Sequence, residues 1–198
     1  MSLGLLIAIV VVALLGLAVL LTYNRMVSRR NAVDNSWAQI EAALQRRHDL
    51  IPNLVEAVKG YAAHETKTFE ETTRARAGAQ AAAGPPRLAA TEGLFGAAIG
   101  RLIAVAEQYP DLRATENFQR LQGELSDTEN QIQITRRVYN DTVQTYNTLI
   151  QVFPPSLVAS AFSFEPREFF DAPPEAEATP EVSFSPEGRG EQPAPAGK

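Results

Sequence analysis

The sequence predicts an all-α protein, an N-terminal transmembrane helix followed by long, coiled-coil-like helices, and three observations carry that reading. Residues 3–21, LGLLIAIVVVALLGLAVLL, are nineteen apolar or Gly residues without a charge, about the length that crosses a hydrocarbon core as a helix. Ala114, Phe118, Leu121, Leu125, Thr128, Ile132, Thr135, Tyr139, Thr142, Tyr146, Leu149 and Phe153 follow one another at alternating steps of four and three across more than five heptads. Such a run is one long helix with one buried stripe. Between these two segments Val33, Trp37, Ile40 and Leu44, then Ile51, Leu54, Val58, Tyr61 and Phe69, share one helical face.

The composition bounds the function. The 198 residues hold one folded domain plus extras, and 45% apolar content is ordinary for a folded chain. A net charge of -5 and a pI near 5.2 leave no basic stripe, so no nucleic-acid partner is expected. The absence of cysteine excludes disulfides, thiolate metal sites, a cysteine nucleophile and lipoprotein acylation.

Taken in order, residues 1–22 read as a transmembrane anchor. A secretory signal peptide is the rival, but no Lys or Arg precedes the run, and Gly16 and Ala18 lie inside it. Arg25, Arg29 and Arg30 follow the span directly. The positive-inside rule then predicts a single pass through the cell membrane, N-terminus out, with the folded part, residues 23–154, in the cytoplasm. Pro52 falls within the next helical face, where proline costs about 3 kcal/mol unless it opens a first turn that Asp49 would cap. A break near residues 49–52 and a kinked continuous helix both fit the pattern.

AGAQAAAGPP, residues 77–86, predicts a turn. The helix of 87–108 that follows is apolar on nearly every face from Leu94 to Ala106 and too short to span a bilayer. It is expected as a central helix buried on most sides, with a lipid-dipping segment as the alternative. Gly93, Gly96 and Gly100 would let a neighbouring backbone come close. Pro110 and Asp111 separate this helix from the long one, residues 112–153, about 60 Å in length. Residues 155–171 keep Leu157, Val158, Phe162, Phe164, Phe169 and Phe170, too much apolar surface for a free tail, and should dock on the helices or lie against the membrane. The acidic, Pro-rich residues 172–198 are expected to be disordered.

Catalytic and cofactor signatures are missing. His64 and Glu65 begin like a zinc-protease helix, but position 68 is Thr, and Gln45 and Tyr61 stand where a Glu-x-x-His pair needs Glu. No nucleophile elbow, P-loop or dinucleotide fingerprint occurs. No enzyme activity, metal or cofactor is therefore expected. Polar residues on the seams stand out instead: Arg47 between Leu44 and Ile51, Glu65 between Tyr61 and Phe69, and Thr128, Glu129 and Asn130 in the long stripe. A buried charge requires a partner, so Arg47 is expected to pair with Glu124 or Glu129 and set helix register. The competing reading gives these groups a ligand or partner in a groove. Trp37 is expected in the core.

Residues 23–65, YNRMVSRRNAVDNSWAQIEAALQRRHDLIPNLVEAVKGYAAHE, resemble the signature of the LemA family. So do RLIAVAEQYPDLRATENFQRLQGELSDTENQI and RRVYNDTVQTYNTLIQVFP within residues 101–154. The resemblance covers about residues 1–172 in collinear order and implies an N-terminally anchored bacterial protein whose folded part is an antiparallel, up-and-down four-helix bundle. It favours a break near Pro52, with helices of about 24–50, 52–82, 87–108 and 112–153. Down, up, down, up would return Phe153 to the bilayer, whereas a merely kinked first helix is expected to leave it far away. The family looks like accessory or scaffold components of the envelope, often encoded near membrane proteases or TPM-domain proteins, with one branch serving magnetosome membranes; it implies no catalytic residue.

A protein partner in the membrane or envelope, in addition to the lipid bilayer, is thus the first expectation. A self-associating structural or membrane-remodelling homo-oligomer is the alternative. Candidate contact or register-setting residues are those in the recognised blocks that an apolar core does not need: Asn31, Arg46, Arg47, Asp49, Asn53, Asn117, Glu129, Asn130, Arg136, Asn140 and Asp141.

Overall fold

The structure, a computed structural model, describes residues 2–170; the expectation for residues 172–198 lies outside them. Among the described residues six helices follow in order: α1 (Leu3–Lys59), α2 (Thr66–Gln80), α3 (Pro85–Ala106), α4 (Pro110–Arg113), α5 (Glu116–Gln151) and α6 (Pro155–Ala161). An extended strap, residues 164–169, comes after α6. No strand occurs among the described residues.

The 57 residues of α1 make a rod of about 85 Å. Its apolar first third is exposed throughout, and the remainder carries the folded domain. Pro52 does not break it, so the helices expected at 24–50 and 52–82 are replaced by one that continues to Lys59. The physical reason lies on α2. Proline has no N–H to give to the carbonyl four residues earlier, that of His48, and Arg76 Nε donates to that carbonyl at 2.8 Å instead. Pro52 itself is exposed, and Asp49 caps nothing, its carboxylate accepting from Gln45 Nε2 at 2.7 Å.

The chain reverses at residues 60–65. Ala62 takes the buried place expected for Tyr61, which is exposed, and Glu65 stands half-buried at the start of α2 rather than in the core. Cross-helix pairs fix the directions. Lys59 lies over Phe69 and Arg76 reaches His48, so α1 and α2 are antiparallel. Arg101 pairs with Glu71 between α3 and α2 at 3.5 Å. Ser36 and Thr142 hydroxyls share a 2.8 Å hydrogen bond, and Arg47 meets Glu129, between α1 and α5. The α1–α2 and α1–α5 pairs therefore run antiparallel, and a continuous first helix still brings the segment after α5 back beside Tyr23, where the Phe162 ring lies 4.9 Å away, contrary to the expectation tied to Pro52.

On α5 the stripe is buried from Phe118 to Tyr139 as the spacing predicts. Beyond that, Val143 and Ile150 are buried while Thr142 is only half-buried. An α-helix turns every 3.6 residues, so a 3.5-residue pattern drifts by about 20° per heptad and the next residue rotates into the core. The two ends of the stripe also differ from expectation. Ala114 precedes the helix and is exposed; Thr115, the N-cap, accepts from the Phe118 N–H. Phe153 follows the helix and is 78% exposed.

The strap docks on α5 through a heptad repeat of Tyr-Asn. Asn140 and Asn147 each hold the backbone of one strap residue by two hydrogen bonds, donating to its carbonyl and accepting from its N–H, at Phe170 (2.9 and 2.9 Å) and Arg167 (2.8 and 2.8 Å). The hydroxyls of Tyr139 and Tyr146 donate to the carbonyls of Glu168 and Glu165. Seven helical residues rise about 10.5 Å and three extended residues cover about 10 Å, so the two repeats match when the strap runs antiparallel. Burial first raises both tyrosines above their ordinary value of 10.0. Phe170 is fully buried at the end, and Trp37 packs against it and Tyr139, partly buried as a core side chain.

Candidate functional site

The apolar core is divided in two. One cluster contains Leu44, Leu88 and Ile132; the other contains Ile51, Phe95 and Leu125. On each of α1, α3 and α5 these residues are one heptad apart, and the turn between them is polar: Arg47 and His48 on α1, Glu92 on α3, Thr128 and Glu129 on α5. Sequence spacing alone thus stacks one polar layer across three helices.

Within it Glu92 is the hub. One carboxylate oxygen forms an ion pair with Arg47 Nη2, and the other lies 2.8 Å from His48 Nε2. Arg47 Nη1 donates to Glu129 Oε2 at 2.7 Å. The expected Glu129 pair is therefore present, while Glu124 pairs with Arg120. Phe95 closes the layer from the distal side, 5.4 Å from the Arg47 guanidinium and 5.0 Å from the His48 ring. Burial is the largest influence on Glu92 and pushes its carboxyl up. The His48 hydrogen bond and the Arg47 charge together outweigh it and hold the group below its ordinary value of 4.5. Arg47 is 4% exposed, and its Nε is buried without a hydrogen-bond partner.

Beside this layer α3 is open. It was expected to be buried on most sides, but only Leu88, Glu92, Phe95, Ala98, Ile99, Leu102 and Ala106 are buried. Gly93, Leu94, Ala97, Gly100 and Ala104 are exposed, Leu94 at 68%. No neighbouring backbone uses the glycines; a β-carbon at Gly93, Gly96 or Gly100 would meet nothing within 4 Å. The helix has more apolar surface than its neighbours α1, α2 and α5 cover. Between α3 and α5 runs a groove of about 500 Å³ floored by Gly96, Gly100, Leu125 and Arg47 and flanked by Glu129 and Asn130. It continues into a recess of about 400 Å³ reaching Gly93, Glu92, Arg136 and Phe170.

Of the candidate residues, Arg47, Glu129, Asn130 and Arg136 meet at this groove. Arg136 lies over the Phe170 ring at 5.3 Å. Its burial, only partly offset by the charge of Glu129, holds it below the ordinary range of an arginine. Asn140 belongs to the strap. Asn31, Arg46, Asp49, Asn53 and Asp141 are exposed elsewhere on α1 and α5, and Asn117 accepts from Arg120 at 3.0 Å. The layer's two unanticipated members are His48 and Glu92. Glu92 carried a signal, being the one charge at heptad phase between Leu88 and Phe95. The arrangement can lock three helices in register and offer a half-exposed carboxylate beside an apolar, glycine-floored groove.

These features define an all-α protein whose first helix carries an exposed segment long and apolar enough to cross a membrane and whose described residues include an open groove between α3 and α5. The sequence profile of the LemA family matches residues 36–184, and the chain belongs to the LemA family. That match starts inside α1 and runs past residue 172, the limit of the block-by-block resemblance. The chain is similar to Magnetosome protein MamQ 2 of Paramagnetospirillum magneticum, 29% identical over 181 residues, 78% of this chain and 66% of that protein. It is also similar to Magnetosome protein MamQ of Magnetospirillum gryphiswaldense, 27% identical over 192 residues (82% and 71%). Protein LemA of Metamycoplasma hominis is 27% identical over 140 residues (69% and 63%). The chain spans about two thirds of the length of these relatives. None of their names carries an enzymatic activity.

Proposed function

We propose that this protein is a membrane-anchored, non-catalytic accessory protein that receives a helix of a membrane or envelope protein partner in the α3–α5 groove. The observation that carries it is the open face of α3. Exposed small residues let a second helix approach closely, and here they adjoin a buried arginine with an unspent donor and a half-exposed Glu129. The magnetosome names of two relatives support a membrane setting for the chain. On this reading the exposed segment crosses the bilayer once, and Arg25, Arg29 and Arg30 directly after it support a cytoplasmic domain by the positive-inside rule.

The test is in-cell crosslinking of the tagged full-length protein, detergent extraction and mass spectrometry, beside a Gly100→Leu variant. A β-carbon there meets nothing within 4 Å, so the larger side chain has room to occupy the groove. A discrete partner recovered by the native chain and lost with Gly100→Leu is the expected result. The same partner at equal yield from both would move the site out of the groove, and self-crosslinks alone would favour the oligomeric reading.

A further inference from the structure

The turn from α5 into α6 presents an outward apolar cluster that the core does not use. Val152, Phe153, Leu157 and Phe162 are 45%, 78%, 63% and 54% exposed, whereas Val158 and Ala159 on the inner side of α6 pack into the core cluster that contains Met26. Its height along α1 is fixed twice over. Ser36 pairs with Thr142; eleven residues on from Thr142 is Phe153, and eleven residues back from Ser36 is Arg25. Independently, the Phe162 ring lies 4.9 Å from that of Tyr23. Tyr23 follows the last apolar residue of the span, Leu21, by about 3 Å of helical rise. The interfacial layer on each side of a bilayer is about 5–7 Å deep. A cluster at the level of residues 23–25 therefore falls inside it.

We infer that the α5–α6 corner is a second membrane contact, seated in the interfacial layer of the same bilayer that the first third of α1 crosses. The inference rests on the spanning reading given above. The surface is continuous with the exposed span, and its aromatic rings suit the headgroup level. Arg25, Arg29 and Arg30 are exposed on the adjoining turns of α1, where anionic headgroups attract them. Two attachments on different elements would hold the long bundle at a fixed angle to the membrane, which a lone helix does not do.

The chain has no cysteine, so single spin labels can be placed at Leu14→Cys, Leu157→Cys and Ser126→Cys in the full-length protein, each at a position without a core contact. The labelled proteins are reconstituted into phosphatidylethanolamine–phosphatidylglycerol vesicles, and collisions with apolar oxygen and with a water-soluble nickel complex are compared. The expected oxygen-to-nickel ratio is highest at 14, lowest at 126 and intermediate at 157. A label at 157 as aqueous as that at 126, with 14 in lipid, overturns the corner contact and leaves the span intact. An aqueous label at 14 overturns the spanning reading and this inference with it. Dipolar broadening at 157 that vanishes on dilution with unlabelled protein would give the surface to a second copy and also overturn it.

Discussion

The two halves of the domain, on either side of the Arg47–Glu92 layer, solve the same problem differently. In the half nearer the exposed apolar segment α1 and α5 are only a pair, and a pair of helices cannot bury both stripes. The strap, α6 and Leu88 complete that core, with backbone groups of the strap satisfied by Tyr139, Asn140, Tyr146 and Asn147. In the distal half α1, α2, α3 and α5, with the short α4, surround the second core, yet α3 keeps a glycine face uncovered. The strap and α6 cover one core, while the glycine face of α3 beside the other is left uncovered. The difference teaches that the surplus apolar surface of α3 is not used by the packing of the described residues.

The largest effect should come from cutting the layer between the halves. Removing one partner of a buried ion pair costs about 3–5 kcal/mol, so Arg47→Met is expected to lower the melting temperature sharply, and Arg47→Met with Glu92→Leu should recover much of the loss. An Arg47→Met protein that melts normally but fails to bind its partner would show that the arginine serves the groove and not the register. The same layer predicts acid sensitivity. The folded carboxyl of Glu92 titrates below its ordinary value of 4.5, so the folded state binds fewer protons there than the unfolded chain. Its contribution is complete above that value and is lost as pH falls through the folded pKa. Acid melts of Glu92→Gln should show a flatter limb than those of the native protein.

Next in size is the strap. Asn140→Ala with Asn147→Ala removes four hydrogen bonds to the backbone, and a net cost of about 1–3 kcal/mol is expected. Amide exchange at Arg167 and Phe170 should quicken while that of α2 and α3 is unchanged. Accelerated exchange in both halves would mean that the layer does not separate them. The smallest effect is a gain. Gly93→Ala or Gly100→Ala should stabilise the protein by about 0.5–1 kcal/mol, because helical glycine is unfavourable and the added methyl meets nothing. Destabilisation in thermal melts would show that the glycines serve the fold after all.

Much of this was legible in the sequence where burial and spacing agree. The α5 stripe, the exposed span and the Arg47–Glu129 pair follow from periodicity and from the cost of an unpaired charge. Pro52 misled because its local penalty is relieved by Arg76, a residue 24 positions away whose role no local pattern announces. The swap from Thr142 to Val143 needed the drift of a straight helix against a 3.5-residue repeat. The strap's Tyr-Asn repeat was in view, but its meaning required knowing that an extended segment lay beside it. At the groove, three of the four candidate residues that converge there lie on α5, and the open glycine face was read as a packing surface because its neighbours could not be counted.

The most direct test of the account is a photo-crosslinking residue at Gln122, exposed in the α3–α5 groove, compared with one at Gln144, exposed on the other half. Both are introduced into full-length protein in living cells. A covalent adduct with another protein from position 122 and none from position 144 is the predicted result. Equal adducts from both positions, or none from 122 while the native chain still captures its partner, would contradict it.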